Sequence, residues 1–255
     1  MSTKPQSSTY VESAPTGPAR PHVACTWVGI TGNDGGYTDR VLPDACVDVI
    51  WDGARVFVAG PDTGPVMTNS SPGTTYAGVR LRPGHAAAVL ARPANELTDR
   101  RVDARDIWPE RQLRRWEDQL GGRTPFEATR LLESIVTEIA TETDTDVASC
   151  DAIARVAARG DVADMADELG CTPRTLHRRC VQSFGYGPKT LHRILRFRRF
   201  MWLAERDSRA QLSTLAVDAG YADQPHLTRD CNDLAGLAPR PLLLSRGVRS
   251  VQDTA

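Results

Sequence analysis

The spacing of apolar residues divides the chain into a strand-like first part and a helical remainder. Between Val23 and Asp103, short apolar runs alternate with polar residues and are separated by Gly, Pro, Asn and Asp, a pattern typical of antiparallel strands. Asp52-Gly53 lies between two alternating runs in CVDVIWDGARVFVAG, which predicts a hairpin. GVRLRPG predicts a further strand and HAAAVLA a short helix. We therefore predict an antiparallel sheet, closing into a small barrel, over residues 21–105.

The apolar period becomes helical after this region. Two helical stripes are separated by Gly121-Gly122 and Pro125, which predicts a helical hairpin over residues 106–145. The stripes are Leu113, Trp116 and Leu120, then Leu131, Ile135 and Ile139. The hairpin could bury these stripes in two ways, by packing on the sheet or by forming the interface of a homodimer.

The two ends of the chain lack this periodicity. The first twenty residues are rich in Ser, Thr and Pro, which predicts a mobile tail over residues 1–20. Residues 247–255 are expected to form a second tail. The run TETDTD is interpreted as a linker leading into a helix that begins near Val147.

Past residue 160 the chain repeats itself with a period of about fifty residues, the strongest signal in the sequence. Seven positions match at offsets of 50 and then 51, because the second copy has one extra residue between its Gly and its Leu. The first copy has Ala166, Gly170, Leu176, Arg178, Cys180, Gly185 and Pro188. The second copy has Ala216, Gly220, Leu227, Arg229, Cys231, Gly236 and Pro239.

Each copy has the pattern of a helix, a tight turn and a second helix. Gly170 and Gly220 follow helical apolar spacing and suit a left-handed helix end, and Thr172-Pro173 suits the start of the next helix. The small Ala166 and Ala216 allow the paired helices to cross closely, as a helix-turn-helix requires. One long helix from Pro188 to about Glu205 is expected to join the copies. Its predicted buried residues are Leu191, Leu195, Phe197 and Met201.

Charge is segregated within the chain, although the formal net charge is only −1. From Cys171 to Ala204 there is no Asp or Glu. A local basic face of this kind suits DNA binding even on a neutral protein, although a charge run also occurs as an ordinary solvated helix face. The basic residues of the window include Arg174, Arg178, Arg179, Lys189, Arg193, Arg196, Arg198 and Arg199.

Composition and cysteine spacing exclude several classes of protein. No stretch approaches the roughly 18 apolar residues of a membrane span, and the polar start lacks the apolar run of a signal peptide, so we expect a cytoplasmic protein without membrane contact. Six scattered cysteines without a CxxC pair favour reduced thiols over a disulfide scaffold. We predict no catalytic residue, no metal site and no cofactor.

The segments DVADMADELGCTPRTLHRRCVQSFGYGPKTLHRILRFRRFMWL and LSTLAVDAGYADQPHLTRDCNDLAGLAPRPLL resemble the AraC family of transcriptional regulators over residues 146–246. The stretch from residue 22 to about 110 resembles the cupin-like sensor domain of one branch of that family. The resemblance implies an α+β chain: a β-rich sensor domain and helical hairpin, then an all-α domain of two helix-turn-helix units. It implies double-stranded DNA, RNA polymerase and a small-molecule effector as partners, and no enzymatic activity.

In a helix-turn-helix, the outward residues early in the second helix reach base edges. Arg and Gln can read guanine and adenine bidentately. The predicted base-reading residues are Arg174, Thr175, His177, Arg178, Gln224, His226, Thr228 and Arg229. Arg178 and Arg229 could instead pair with phosphates or helix acids. The predicted phosphate contacts are Arg179, Lys189 and Arg193.

The second recognition helix is expected to bind DNA more weakly than the first. Asp223, Asp230 and Asp233 surround it and should weaken its binding by repelling phosphates, so we expect the first unit to contribute more affinity.

The rigid joining helix fixes the distance between the two recognition helices. It therefore predicts a bipartite DNA site whose halves are roughly 10 base pairs apart.

An effector site in the N-terminal domain is predicted from its polar residues. The candidate residues are Asp44, Cys46, Asp48, Arg80 and His85. A regulator that senses zinc or thiol oxidation through Cys25 and Cys46 is an alternative, although the spacing of His22, Cys25, Cys46 and His85 matches no metal motif. A cysteine-dependent DNA-repair transferase fused to a DNA-binding domain is a second alternative.

Overall fold

A computed structural model of the protein describes residues 8–33, 37–143, 146–159, 162, 164–207 and 209–245. Within these residues, eight strands form two antiparallel sheets in the N-terminal part of the chain. A six-stranded sheet has the order β1-β2-β7-β4-β5-β8, and β3 and β6 form a separate two-stranded sheet. The strands are β1 (Thr9–Ser13), β2 (Val23–Ile30), β3 (Tyr37–Val41), β4 (Val47–Trp51), β5 (Val56–Ala59), β6 (Val66–Ser70), β7 (Thr75–Leu81) and β8 (Arg101–Asp103).

The first strand corrects the prediction of a mobile tail over residues 1–20. β1 pairs with β2 from Thr9↔Ile30 to Ser13↔Thr26, and a 3₁₀ turn follows at Gly17–Ala19. Tyr10 packs on Trp27, with ring centroids 5.7 Å apart. The strand has few apolar residues because it lies at a sheet edge. Its composition therefore resembles that of a mobile tail. Residues 1–7, and the predicted tail over 247–255, lie outside the described residues.

The hairpin predicted at Asp52-Gly53 is confirmed by the pairing of β4 with β5. Its turn is closed by Asp52, whose Oδ1 accepts from the backbone N–H groups of Ala54 and Arg55 at 3.0 and 2.9 Å. Gly53 has a φ of +94°, a conformation open mainly to glycine. The turn chemistry visible in the sequence therefore sets this register.

One face of the six-stranded sheet is covered by three helices. These are α1 (Ala86–Leu90), α2 (Glu110–Leu120) and α3 (Pro125–Thr141), as the helical pattern predicts. Alternate strand residues, among them Val49, Val58 and Val79, form one core with Leu113 of α2 and Leu132 of α3. The hairpin therefore packs on the sheet, and its second suggested role as a dimer seam stays a prediction.

The remaining helices form an all-α region whose core also includes Leu42 and Ala45 of the N-terminal part. They are α4 (Val147–Arg159), α5 (Met165–Glu168), α6 (Pro173–Phe184), α7 (Pro188–Arg206), α8 (Leu212–Ala219), α9 (Gln224–Ala235) and α10 (Pro239–Leu244). The long joining helix is confirmed as α7, and all four of its predicted inward residues are buried. The helix before the first turn, α5, is shorter than the spacing from Val162 to Leu169 predicts. The α+β fold class predicted from the sequence is confirmed.

The opposite face of the large sheet is shaped by a close approach between Trp27 and Gly78. The two residues are paired across β2 and β7, and the indole lies directly over the glycine. A Cβ at residue 78 would come within 2.1 Å of Trp27 Cε2. Only glycine therefore lets the indole lie flat across the strands.

We expect Gly78→Ala to lower the free energy of unfolding by about 1–3 kcal/mol, the usual cost of overpacking. Gly17→Ala is the matched control, because its Cβ would meet nothing within 4 Å. Urea denaturation followed by tryptophan fluorescence measures both variants. Equal stability of the two variants would contradict the close approach.

Candidate nucleic-acid interface and ligand cavity

The two recognition helices, α6 and α9, begin in the same way. Thr172 accepts a hydrogen bond from the backbone N–H of Thr175 at 3.2 Å and caps α6. Asp223 accepts from the backbone N–H of His226 at 2.7 Å and caps α9. Both caps use a side-chain oxygen to satisfy an N–H that the first helical turn leaves unbonded. Asp223 therefore has a structural role besides the repulsion of phosphate expected from its charge.

The helices also end alike, on glycines in the left-handed conformation. Gly185 ends α6 with a φ of +89°, and Gly236 ends α9 with a φ of +66°. The turns before the two helices contain Gly170 and Gly220, which also have positive φ values. The sequence repeat is thus a structural repeat of two helix-turn-helix units.

Most of the predicted base-reading side chains lie on the exposed side of these helices. The exposed residues are Arg174, His177, Arg178, Gln224 and Arg229. Thr175 and Thr228 are half-buried, and the Thr228 hydroxyl donates to the Gln224 carbonyl at 2.9 Å. The exposed side chains are therefore able to reach the major groove of DNA. Their contacts with bases stay a prediction.

His226 departs from the expected outward orientation. Its Nε2 accepts from Arg196 Nη2 at 3.0 Å, and its ring packs edge-on against Tyr221. Partial burial, followed by the nearby Arg196 charge, lowers the pKa of His226. His226 lies on α9, and its contacts with Arg196 of α7 and with Tyr221 orient the ring toward the protein.

Arg196 itself lies at the centre of a buried polar network that joins α7 to α9. Its Nη2 donates to Asp230 Oδ2 at 2.7 Å, and its guanidinium lies 4.3 Å from the Tyr221 ring centroid. Asp230 is only 4% exposed. A buried carboxylate of this kind requires its cationic partner, so this pair holds the second recognition helix on the joining helix.

The structure also changes the interpretation of Arg193. This residue, predicted to contact phosphate, donates from Nε to Asp230 at 3.0 Å and from Nη2 to Asp233 at 2.8 Å. Both aspartates are thus neutralised by arginines of α7. These pairs reduce the repulsion of phosphate that was expected from Asp230 and Asp233. The local sequence does not show them, because the partners are 37 and 40 residues apart.

The basic face is consequently smaller than the sequence window indicates. Arg196 is buried, and Arg198 donates to the Asp44 carbonyl at 3.3 Å. The exposed cations of the window are Arg174, Arg178, Arg179, Lys189 and Arg199. Lys189 and Arg199 line an open groove between the units together with Arg159 of α4. Arg159 is not among the predicted DNA contacts, because it lies outside the repeat.

The N-terminal domain touches both units at equivalent points. Thr98 Oγ1 donates to the Gly185 carbonyl at 3.0 Å, where α6 ends. Arg40 Nη1 donates to the Ala235 carbonyl at 2.8 Å, where α9 ends. The carbonyls at the end of a helix lack intrahelical partners, and here the N-terminal domain supplies donors to them.

A cavity of about 710 Å³ lies between the two sheets of the N-terminal domain. Its volume falls within the roughly 300–1,000 Å³ typical of small-molecule sites. Of the predicted effector residues, Asp44, Asp48 and Arg80 line it. Cys46 and His85 lie elsewhere: Cys46 is buried beside Asp44, and the fully buried His85 donates to Asp151 of α4 at 3.0 Å.

Arg80 organises the carboxylates at one end of this cavity. Its Nε lies 3.2 Å from Asp48 Oδ1 and 3.4 Å from Asp44 Oδ2, and its Nη1 lies 3.1 Å from Glu12 Oε1. Trp27 Nε1 donates to the same Asp48 oxygen at 2.9 Å. Burial raises the pKa of Asp48, and the Arg80 charge opposes that shift.

The cysteines have the properties of core residues. Burial raises the pKa of Cys25 to about 12 and that of Cys46 well above its usual value, which keeps both thiols protonated and unreactive. The described residues contain no group of three or more His, Cys, Asp or Glu able to hold a metal ion. The burial of both thiols weighs against the thiol-sensing and DNA-repair alternatives. None of the described helices is both long and apolar enough to cross a membrane.

Comparison with known families agrees with this geometry. A family model described as "Helix-turn-helix domain" matches residues 165–243, which span both units and α7. The chain has an AraC-type helix-turn-helix domain. The model "Domain of unknown function (DUF6597)" matches residues 11–103, the eight-stranded part of the chain. No curated protein matches the chain.

Solved structures of ToxT from Vibrio cholerae are similar to the chain over most of its length. ToxT from strain O395 is 10% identical with a TM-score of 0.43, and the match covers 93% of this chain and 96% of ToxT. The complex of ToxT with (E)-4-(8-methylnaphthalen-1-yl)but-3-enoic acid is 10% identical with a TM-score of 0.44, covering 94% and 98%. Similarity at this level carries no statement about what this chain binds.

We expect Asp230→Ala to destabilise the protein by about 3–5 kcal/mol, because it leaves buried Arg196 without its carboxylate. Asp233→Ala should cost at most about 1 kcal/mol, since Asp233 is 64% exposed. Urea denaturation of both variants measures the difference. Similar losses in the two variants would show that the α7–α9 connection does not depend on Asp230.

Proposed function

We propose that this protein is a sequence-specific DNA-binding transcription regulator whose N-terminal domain binds a small-molecule effector. The observation that carries the proposal is the pair of equivalent, capped recognition helices in an AraC-type domain, with exposed Arg, His and Gln side chains. Side chains of these types read base edges in the major groove. The cavity between the sheets is the proposed effector site.

Strand β3 offers a direct connection between the cavity and the second recognition helix. Successive side chains of a strand point to opposite sides. Asp39 lines the cavity, while its neighbour Arg40 bonds the end of α9. A ligand that shifts β3 would therefore move the anchor of α9 and change how the two recognition helices are presented to DNA.

The residue Asp44 provides a second connection of the same kind. Its carboxylate lies 3.4 Å from Arg80 in the cavity, and its carbonyl accepts from Arg198 of α7. Because α7 joins the two units, this contact relates the cavity to the spacing between them.

We further propose RNA polymerase and a second copy of the chain as partners. Regulation of transcription requires the first. A groove between α2 and α3 suits the second, because it has arginines on one wall and glutamates on the other, above an apolar floor. The walls carry Arg111, Arg115, Glu138 and Glu142, and the floor is formed by Trp116, Leu131, Ile135 and Ile139.

We expect Arg178→Ala and Arg229→Ala each to weaken specific DNA binding by about 1–3 kcal/mol. The operator would first be found by genome-wide binding and footprinting. Fluorescence anisotropy then compares that duplex with a scrambled one, and Arg114→Ala on α2 controls for the loss of one charge. Loss on both duplexes alike would assign these arginines to phosphates, and unchanged binding would contradict the proposed interface.

We expect Arg40→Ala to loosen the end of α9, because the Ala235 carbonyl loses its donor. Hydrogen exchange of the backbone amides should become faster in the last turn of α9 and stay unchanged in α6. Arg100→Ala is the control, since the Arg100 side chain donates to the Glu96 carbonyl of its own domain. Unchanged exchange in α9 would contradict the β3 connection.

We expect the charge reversals Arg115→Glu and Glu138→Arg each to dissociate the dimer, and their combination to restore it. In a two-fold interface, α2 of one copy faces α3 of the other, so the combined change re-forms the opposite-charge pair. Sedimentation velocity measures the association. A monomeric wild-type protein, or a combination that does not restore association, would contradict this arrangement.

A further inference from the structure

The cavity between the two sheets has an aromatic floor. Strand register places Trp27, Gly78, Ile50 and Phe57 in one row across β2, β7, β4 and β5. Because Gly78 has no side chain, the Trp27 indole fills the middle of this row and lies along the sheet. The cavity is also lined by Tyr10, Tyr37 and Tyr76. A flat or apolar ligand would therefore find ring surfaces on several sides.

The charged groups around this floor are mainly acidic. Six aspartates and three arginines line the cavity. The aspartates are Asp39, Asp44, Asp48, Asp52, Asp103 and Asp106, and the arginines are Arg55, Arg80 and Arg101.

Each of these arginines is already bonded to carboxylates. Arg80 pairs with three of them at one end of the cavity. Arg101 holds Asp62 with two hydrogen bonds of 2.6 and 2.8 Å, and Arg55 lies 3.5 Å from both Asp52 and Asp103. Four of the six aspartates belong to these same pairs. The aspartates still outnumber the arginines by three, so an anionic ligand would add to a surplus of negative charge, whereas a cationic ligand would reduce it.

We infer that the cavity binds an organic cation, an amine or quaternary ammonium compound with an aromatic or apolar body. Aromatic faces attract such cations through their ring quadrupoles, and nearby carboxylates compensate the loss of water around the charge. A metal ion does not fit the described residues, in which the acids form no ligand group. The inference deepens the proposed effector function and rests on it.

Asp39 is the carboxylate best placed to respond to such a ligand. It is 4% exposed, lies on β3 opposite the large sheet and precedes Arg40, which bonds the end of α9. Its Oδ1 accepts from the Arg40 backbone N–H at 2.9 Å. A cation drawn toward Asp39 would act on the strand that carries the anchor of the second recognition helix.

Isothermal titration calorimetry of the full-length protein, without DNA, tests the charge class. The probes are 2-phenylethylamine and benzyltrimethylammonium as cations, 2-phenylethanol as a neutral compound and phenylacetate as an anion. The expected result is at least tenfold tighter binding of the two cations than of the other two. Tighter binding of phenylacetate, no preference by charge, or no binding of either cation at millimolar concentration would overturn the inference.

Variants then assign the binding to this cavity. Asp39→Asn keeps the size and the acceptor oxygen and should weaken both cations at least fivefold, without changing 2-phenylethanol binding. Phe57→Leu should weaken benzyltrimethylammonium by about threefold, as the loss of one aromatic face predicts. Asp118→Asn, exposed on α2, is the matched control and should have no effect. Unchanged cation binding in Asp39→Asn, in a variant whose thermal melt matches the wild type, would overturn the inference.

The calorimetry separates this inference from the proposed regulatory function. Arg178→Ala is expected to lose DNA affinity and keep its cation affinity. Cation binding that neither strengthens nor weakens operator binding would leave the ligand class standing and contradict the effector role.

Discussion

The ends of the two recognition helices are the constraint on which the arrangement of the molecule depends. Gly185 and Gly236 stop α6 and α9 in a left-handed turn, and a helix that stops leaves carbonyls without intrahelical partners. Thr98 and Arg40 of the N-terminal domain donate to carbonyls at these two ends. The glycines of the repeat therefore end the helices at the points where the N-terminal domain bonds to the two helix-turn-helix units.

The close contact at these points also requires small residues. A Cβ at Gly185 would come within 2.4 Å of Thr98 Oγ1, and one at Gly236 within 3.1 Å of Arg40 Nη1. A larger residue would strain the left-handed backbone at both positions, and at Gly185 it would also displace Thr98, whereas at Gly236 the flexible Arg40 side chain would give way. Helix termination and domain contact are thus two consequences of one choice of residue.

The large sheet of the N-terminal domain shows how strand alternation separates two tasks. Residues such as Val49 and Val79 face the helices and form the core, while Asp48, Ile50 and Arg80 face the cavity. The smaller sheet repeats this division, with Asp39 toward the cavity and Arg40 toward α9. A period of two residues therefore supplies both a stable scaffold and a cavity, and on β3 it also supplies a contact with the end of α9.

The sequence by itself determined the features that depend on local spacing and on the repeat. These include the hairpin at Asp52-Gly53, the strand in GVRLRPG, the helices and the joining helix α7, because periodicity and turn residues act over a few positions. Three of the five effector candidates chosen from the sequence, Asp44, Asp48 and Arg80, lie in the cavity, and their effector role stays a prediction. Only the tertiary structure decided the pairing of Arg193 and Arg196 with Asp230, the position of His85 at the domain junction, and strand β1. Partners tens of residues away determine whether a charge is solvated or neutralised, and edge position determines whether a polar segment forms a strand. Those relations arise from packing in three dimensions, which a one-dimensional pattern does not contain.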